Sequence, residues 1–575
     1  MGSKRQKQRK EPQAAPTPNR PLPELGSKRA VSGRIRAFLD RRSRAVAVAA
    51  VLFATLRIVA TYHVFDHTSD EPDHIACGME YLDKGAYTWE PQHPPLARVA
   101  VALGPYLLGL RSQSRPRAGY IYMAREGANI LYSGHRYELA LSLARAGVLP
   151  FFWLACLVVY FWGVRYFNRA VAATAVLFFS FVPPVLAHAG LATTDIALTA
   201  FLAATFLVGR IWLERPSLAN GVLFGVSAGL MVLVKFSCLA FFPASVALGL
   251  AWYFYRERPK LGDVLTGALQ RFPTLALAVP IGCLVVWAGY RFSFGKVPFA
   301  SFPMPAPELW AGIQQVREHN AVGHPCYLLG TVGQTGFWNF YWVALCVKTP
   351  LGFLALAATG AVLAFRKRPP FHHLWFPLAF SAGILLVGTF THINIGIRHV
   401  LPIYVGFSLL AAFAALHLLD AAGAGARPWI RAAAAIFCLW FGASSLLAHP
   451  DYLAYFNELA GSQPENILVD SDLDWGQDQK RLAQRLQELG ATEVAYSPYI
   501  IGELEREHGF PHIVALNRFT PVPGWNAVGV TEWKELHRAE WVDHYYPPRE
   551  RVGKSMLLWY FPPLPGMPGS TSQAR

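Results

Sequence analysis

Two apolar runs, 45–62 and 400–419, constrain this chain before anything else. Each approaches the roughly 20 residues a helix needs to cross hydrocarbon. Inside a bilayer every backbone amide must be paired within the segment, so such runs are helical. The same reasoning applies at 139–164, 170–187, 196–212, 221–234, 236–255, 272–290, 340–365, 374–391 and 430–447. The sequence therefore predicts an α-helical polytopic membrane protein with about 11 transmembrane helices. Only 15% of the residues are charged, against about a quarter in soluble domains.

The net charge of +16 is unevenly placed. Residues 1–44 carry KRQKQRK, SKR, RIR and RRSR with few acids and several prolines. Such a segment cannot bury a core and reads as a disordered basic cytoplasmic tail drawn to anionic lipid. No recognition motif accompanies the charge, so no nucleic-acid partner is expected. Short turns at Arg165 and Arg169, Arg210 and Arg215, Arg256 to Lys260, 366–368, and Arg427 with Arg431 are all basic. The alternate turns at 188–195 and 391–397 are nearly free of lysine and arginine. The positive-inside rule then places the amino terminus in the cytoplasm and the carboxyl terminus outside, and a bacterial inner membrane is the expected location.

The chain divides into the tail, a transmembrane domain over 45–448 with large outer loops at 63–138 and 291–339, and an outer region over 449–575. Within the first loop, 96–110 is short for a span and is expected along the interface. In the last region ILVDSD, EVAYSPY, AVGVTEW and SMLLWYF read as strands. WGQDQKRLAQRLQELG reads as an amphipathic helix ending at a glycine, with Asp472 and Asp474 as its caps. These elements predict a small extracytoplasmic α/β domain, followed by a loose tail after Pro562. Of seven cysteines, Cys77 and Cys326 fall in outer loops, which leaves a bridge between them open; the other five lie in apolar runs as packing residues.

The densest polar cluster follows the first run: HVFDHTSDEPDHIACGMEYLDKGAYTWEPQHPPL. Acids at a helix start serve the helix dipole. A carboxylate at the membrane surface also suits group transfer, where a base takes the proton of an attacking hydroxyl. Three cations stand against the charge trend. Lys235 and Arg398 lie at outer turns, and Lys348 lies within an apolar run. A cation there is costly unless it snorkels or meets an anion, and a phosphate leaving group is such an anion. His399, beside Arg398, lies at the same depth, with His392 and Asn394 just before it.

SDEPDHIACGMEYL, EPQHPPL, LATTDIALTAFL, VKTPLGFL, NIGIRHVLPIY and DYLAYFNELAG…DSDLDWGQDQKRL, in this order, resemble the membrane-embedded glycosyltransferases of the GT-C class. The resemblance is to the branch of protein O-mannosyltransferases and lipid A aminoarabinose transferases. It implies that Asp70 is the catalytic acid of the family and Glu71 its partner. It implies that Asp195 is a second active-site acid, although threonine and aspartate there also make a helix cap. His93 stands where aminoarabinose transferases carry a phosphate-holding lysine, so its phosphate role is less securely implied. Lys235, Lys348, Arg398 and His399 complete the expected lipid-phosphate site.

The expected activity is transfer of a monosaccharide from a polyprenyl-phosphate carrier to an acceptor hydroxyl of a protein, glycan or lipid on the outer face. The bilayer, the donor and the acceptor are the expected partners. No cofactor is expected, as this branch generally uses no metal. The helical spacing of His67, Asp70, Glu71 and His74 nevertheless leaves a divalent ion open. A secondary transporter is the first rival, disfavoured by the lack of internal repeats. A non-catalytic assembly protein is the second, and it gives no reason for cations near the outer face.

Overall fold

The computed structural model describes residues 31–117, 119–366, 371–420 and 428–562. Residues 1–30 of the basic tail, Lys367, Arg368, Arg427 and the tail after Pro562 lie outside the described residues. The end of the expected disordered tail is helical, because the first helix, Val31–Val59, begins well before the apolar run and bends at Arg42.

Each of the eleven expected runs is helical, but two are broken. One becomes Arg169–Phe179 and Pro183–Ala189, bent by 68°; the other becomes Phe340–Lys348 and Leu351–Ala364, bent by 120°. Both breaks precede proline. Val182 and Thr349 adopt extended backbone (ψ 120 and 133) because the following proline ring excludes the α region. By length and apolar composition, six helices among the described residues qualify to cross a membrane, and eight when each bent pair is one span.

Ion pairs and caps gather one set of turns at a common end. Arg36 pairs with Asp420, Arg165 and Arg210 both pair with Glu214, and Asp40 accepts the Ala170 N–H. These are the basic turns of the sequence. A cysteine at Arg366 and one at Thr520, both exposed, should therefore react with an impermeant maleimide from opposite faces of oriented vesicles, position 520 from outside. Labelling of both from one face would sink this arrangement.

The loop over 63–138 folds into three helices, Glu71–Lys84, Pro95–Leu107 and Tyr120–Tyr132. Glycine permits their close crossing: a Cβ on Gly127 would lie 1.9 Å from Pro72 O. The loop over 291–339 holds the hairpin β1 (Phe294–Val297) and β2 (Ala300–Pro305), the helix Pro307–Val322, and the hairpin β3 (Cys326–Leu328) and β4 (Thr331–Gly333). Cys77 and Cys326 are free thiols, so the bridge left open by the sequence does not form: Cys77 Sγ faces Met123 Sδ, and Cys326 Sγ faces Gly333 O.

The carboxyl-terminal region expected outside, described over 449–562, carries a five-stranded mixed sheet. Its strands are β5 (Glu493–Ala495), β6 (His512–Val514), β7 (Gly524–Gly529), β8 (Glu550–Val552) and β9 (Met556–Phe561), in the order β6-β5-β7-β9-β8. β5 runs parallel to β6 and β7, while β9 is antiparallel to β7 and β8. Alternation sends Leu558 to one apolar cluster, with Leu482 and Val494, and Leu557 to another, with Trp533 and Trp541. Three expected elements differ. AVGVTEW is a strand only as far as Gly529, and Val530–Lys534 is a helix. ILVDSD is not a strand, because Asp470 sits at φ 50° and starts a tight turn. The amphipathic helix begins at Gln479 rather than near Trp475.

Candidate active site

The site begins with the loop that leads into the helix Glu71–Lys84. Two backbone bonds, Asp66 N–H to Gln477 O (3.0 Å) and Ser69 N–H to Trp475 O (3.1 Å), fix this loop to the outer region. Glu71 fixes it to the membrane helices. Its oxygens accept from Arg145 Nε and Nη2 (both 2.9 Å), from the Ala192 N–H (2.8 Å) and from the Thr68 N–H (2.8 Å). Burial works against its charge, and Arg145 outweighs burial, so the carboxyl is held below its ordinary value. Glu71, expected as the partner of Asp70, is a fully buried tie that does not line the cavity.

Breaking a buried pair leaves an uncompensated charge and costs about 3–5 kcal/mol. Glu71→Gln should therefore lower the thermal midpoint in detergent. A carboxyl with a depressed pKa contributes stability above its ordinary value of 4.5 and loses it as the pH falls through the folded value. The wild-type midpoint should fall on acidification below that value, and Glu71→Gln should flatten the fall. An unchanged midpoint in the variant would remove this role from Glu71.

With Glu71 turned inward, Asp70 faces a cavity of about 1270 Å³. Its side chain is 27% exposed, and Oδ2 accepts from Arg398 Nη1 at 2.9 Å. Asp70 stands at the helix N-cap position without a side-chain capping bond. Arg398 is further held by Nε, which donates to Ile395 O (3.2 Å) and Ser471 Oγ (3.1 Å), and by the Trp475 ring 4.1 Å below its guanidinium. Burial disfavours its charge, but Asp70, Asp195 and Asp470 outweigh burial and keep it protonated. The glycine of NIGIRH has a local cause: Gly396 lies at φ 97°, and a Cβ there would meet Ser471 Oγ at 2.4 Å.

Asp195 begins the helix Asp195–Glu214 and makes no capping bond. Instead Oδ1 accepts from Lys235 Nζ at 2.6 Å, and Oδ2 lies 3.9 Å from Arg398 Nη1. Lys235, Arg398, His93 and His399 line the same cavity as Asp70; Asp195 stands behind the two cations. Burial, Lys235 and Arg398 favour the neutral form of His399, and burial and Arg98 do the same for His93. Both can offer hydrogen bonds there rather than charge.

Lys348, expected in the phosphate site, lies away from this cavity. It is 1% exposed, and Nζ donates to Leu453 O (2.7 Å) and to Asp472 O, beside the Phe456 ring. It does not line the cavity and instead ties the outer region to the membrane helices. Lys348→Met would leave two buried carbonyls without a donor, at about 1–3 kcal/mol each. The expected result is a lower thermal midpoint with near-normal turnover per folded molecule. Normal stability with lost turnover would restore Lys348 to the phosphate site.

Asp472 and Asp474 of the motif DSDLDWGQDQ do not cap the helix that follows them. Asp472 Oδ1 accepts the Ile397 N–H, and Asp474 Oδ2 accepts the Thr531 N–H at the start of the helix Val530–Lys534. Asp470 and Trp475 reach the cavity itself. The sequence reading also missed Asp73 and Arg98 as cavity residues, and offered His74, a third, only as a ligand of a divalent ion. Arg98 Nε donates to His74 Nδ1 at 3.1 Å, which fixes the His74 proton on Nε2. Burial and the neighbouring Asp70 push the Asp73 carboxyl well up. The only signal for these residues was helical spacing from Asp70 and the position of Arg98 just after HPPL. His67, Asp70, Glu71 and His74 do not converge: among the described residues no three His, Cys, Asp or Glu side chains are placed to hold a metal.

The cavity is polar at the Asp70–Arg398 end. One wall is apolar, with Leu239, Ala240 and Phe241 from the helix Cys238–Glu257 and Leu386, Val387 and Phe390 from the helix Trp375–Phe390.

Residues 148–280, which include Asp195 and Lys235, match the family model described as dolichyl-phosphate-mannose-protein mannosyltransferase. No curated protein matches the chain. Among solved structures, ArnT from Cupriavidus metallidurans bound to undecaprenyl phosphate is similar at 16% identity and TM-score 0.48, over 73% of this chain and 67% of that one. The oligosaccharyltransferase of Archaeoglobus fulgidus tethered with an acceptor peptide is similar at 13% identity and TM-score 0.48, over 88% of this chain and 72% of that one.

Proposed function

We propose that this chain is a membrane glycosyltransferase that moves a monosaccharide from a polyprenyl-phosphate carrier to an acceptor hydroxyl of a protein, glycan or lipid. One observation carries the reading: a carboxylate, Asp70, and two cations, Arg398 and Lys235, share a cavity that also carries an apolar wall, with Leu239, Phe241, Leu386 and Phe390. A lipid-linked sugar is an amphiphile with the same division, an apolar chain and an anionic phosphate. The family matched over 148–280 is described by a donor of this kind.

In this reading the acceptor oxygen attacks the anomeric carbon as Asp70 takes its proton. The bond from that carbon to the phosphate oxygen breaks, and its electron pair leaves with the phosphate. Arg398 and Lys235 meet the charge that grows there, at a point from which water is partly excluded. The arriving phosphate competes with Asp70 for Arg398, so donor binding frees the base it requires. His93 and His399 offer neutral contacts, and no divalent ion takes part. We place this chemistry on the outer face of a bacterial inner membrane, with the amino terminus inside.

The test is incubation of the purified chain in nanodiscs with labelled polyprenyl-phosphate hexoses and pentoses, with and without EDTA. Label should pass to water or to envelope glycans and proteins, and EDTA should leave the rate unchanged. No release from any lipid-linked sugar, by protein that is folded, would end the proposal; inhibition by EDTA would end its metal-free form.

A further inference from the structure

The first hairpin of the loop over 291–339 leaves four phenylalanines uncovered. Phe292, Phe294, Phe299 and Phe302 are 53–63% exposed. Together they show on the order of 400 Å² of apolar surface, the scale at which a patch marks an interaction.

The hairpin is pinned at its base. The chain leaves the helix Leu261–Gly289 through Arg291 and Phe292, both left-handed at φ 57°. Consecutive non-glycine residues in this region are strained and persist only where neighbours hold them. Arg291 Nη1 donates to Tyr81 O, and its guanidinium lies 5.2 Å from the Tyr81 ring. Trp287 Nε1 donates to Ser293 O, and Ser293 Oγ donates to Glu308. The phenylalanines are therefore presented on a fixed frame.

We propose that this hairpin dips into the membrane leaflet on the cavity side. The helix that feeds it qualifies as a span by length and composition, and its Val279 and Leu284 are exposed as the phenylalanines are. Arg291 and Lys296 add positive charge suited to anionic headgroups. Burial of the rings in the interface removes the apolar surface from water, as amphipathic interfacial segments do at roughly 5–10 Å depth. The helix Pro307–Val322 follows directly, and its Ile313, Val316 and Asn320 line the cavity. The hairpin thus anchors one cavity wall to the bilayer from which an amphiphile would enter. This anchoring requires the membrane alone and holds whatever substrate the cavity takes.

The test uses the full chain with the exposed Cys283 and Cys346 replaced by alanine. Phe299→Cys, Phe302→Cys and, as a water-exposed control, Thr520→Cys are each labelled with an environment-sensitive fluorophore in vesicles containing phosphatidylglycerol. Labels at 299 and 302 should emit at shorter wavelength than at 520, be quenched by doxyl lipids and be protected from aqueous iodide. Emission and iodide access equal to those of position 520 would overturn the proposal. So would shielding that appears in native membranes but not in lipid vesicles, since that result names a protein partner instead.

Discussion

Asp70→Asn should lower the transfer rate by about 100-fold or more, the usual worth of a positioned general base. The amide keeps the shape but cannot take the acceptor proton. Folding should survive, because the Asp70 side chain is partly exposed and hydrogen-bonds to the Arg398 guanidinium rather than into the core. Donor affinity should not fall, since removing a carboxylate that competes for Arg398 favours an arriving phosphate. This pairing of effects separates a base from a structural residue, which would lose both. Transfer rate and polyprenyl-phosphate affinity measured on the same nanodisc preparation decide the matter. Full activity in Asp70→Asn would move the base elsewhere, with Asp73 the next carboxyl on the cavity wall.

Arg398→Ala should lower kcat/KM by about 100- to 1000-fold, the loss seen when one donor to a developing anion is removed. Affinity for polyprenyl phosphate should fall as well, in contrast to Asp70→Asn. Arg398 also bonds to Ile395 O and Ser471 Oγ, so part of the effect could come from the junction with the outer region. Arg398→Lys distinguishes the two contributions. It retains the charge but loses the guanidinium fork, and should recover part of the phosphate affinity. Well-folded Arg398→Ala with normal turnover would show that the phosphate is held by other groups.

The fate of the expected site residues follows from what each prediction used. Lys235 and Arg398 stood out because cations at outer turns contradict the charge bias, and both line the cavity. Lys348 stood out for the same kind of reason, yet its partners are backbone carbonyls 105 and 124 positions away. A costly buried cation reveals that a partner exists, not which one. Asp70 and Glu71 are adjacent, so they could not share a direction, but which one faced the cavity depended on Arg145, on a later helix. Asp472 and Asp474 read as local caps because caps are the commonest short-range use of aspartate. Their true partners, Ile397 and Thr531, lie in distant segments.

The sequence by itself determined the helical runs, their basic turns and the existence of a carboxyl-terminal region with strands. Those features follow from hydrocarbon thickness, backbone pairing and charge, which act on contiguous residues. The runs 170–187 and 340–365 were each expected unbroken, and their breaks fall where a proline excludes the helical conformation from the preceding residue. Only the tertiary structure decided that Glu71 is a tie, that Lys348 is a clasp, and that Asp470 and Trp475 from the outer region complete a cavity begun by Asp70. Which charged groups end up paired is set by contacts between segments hundreds of residues apart, as in the Asp70–Arg398 pair, and no local pattern encodes such a contact.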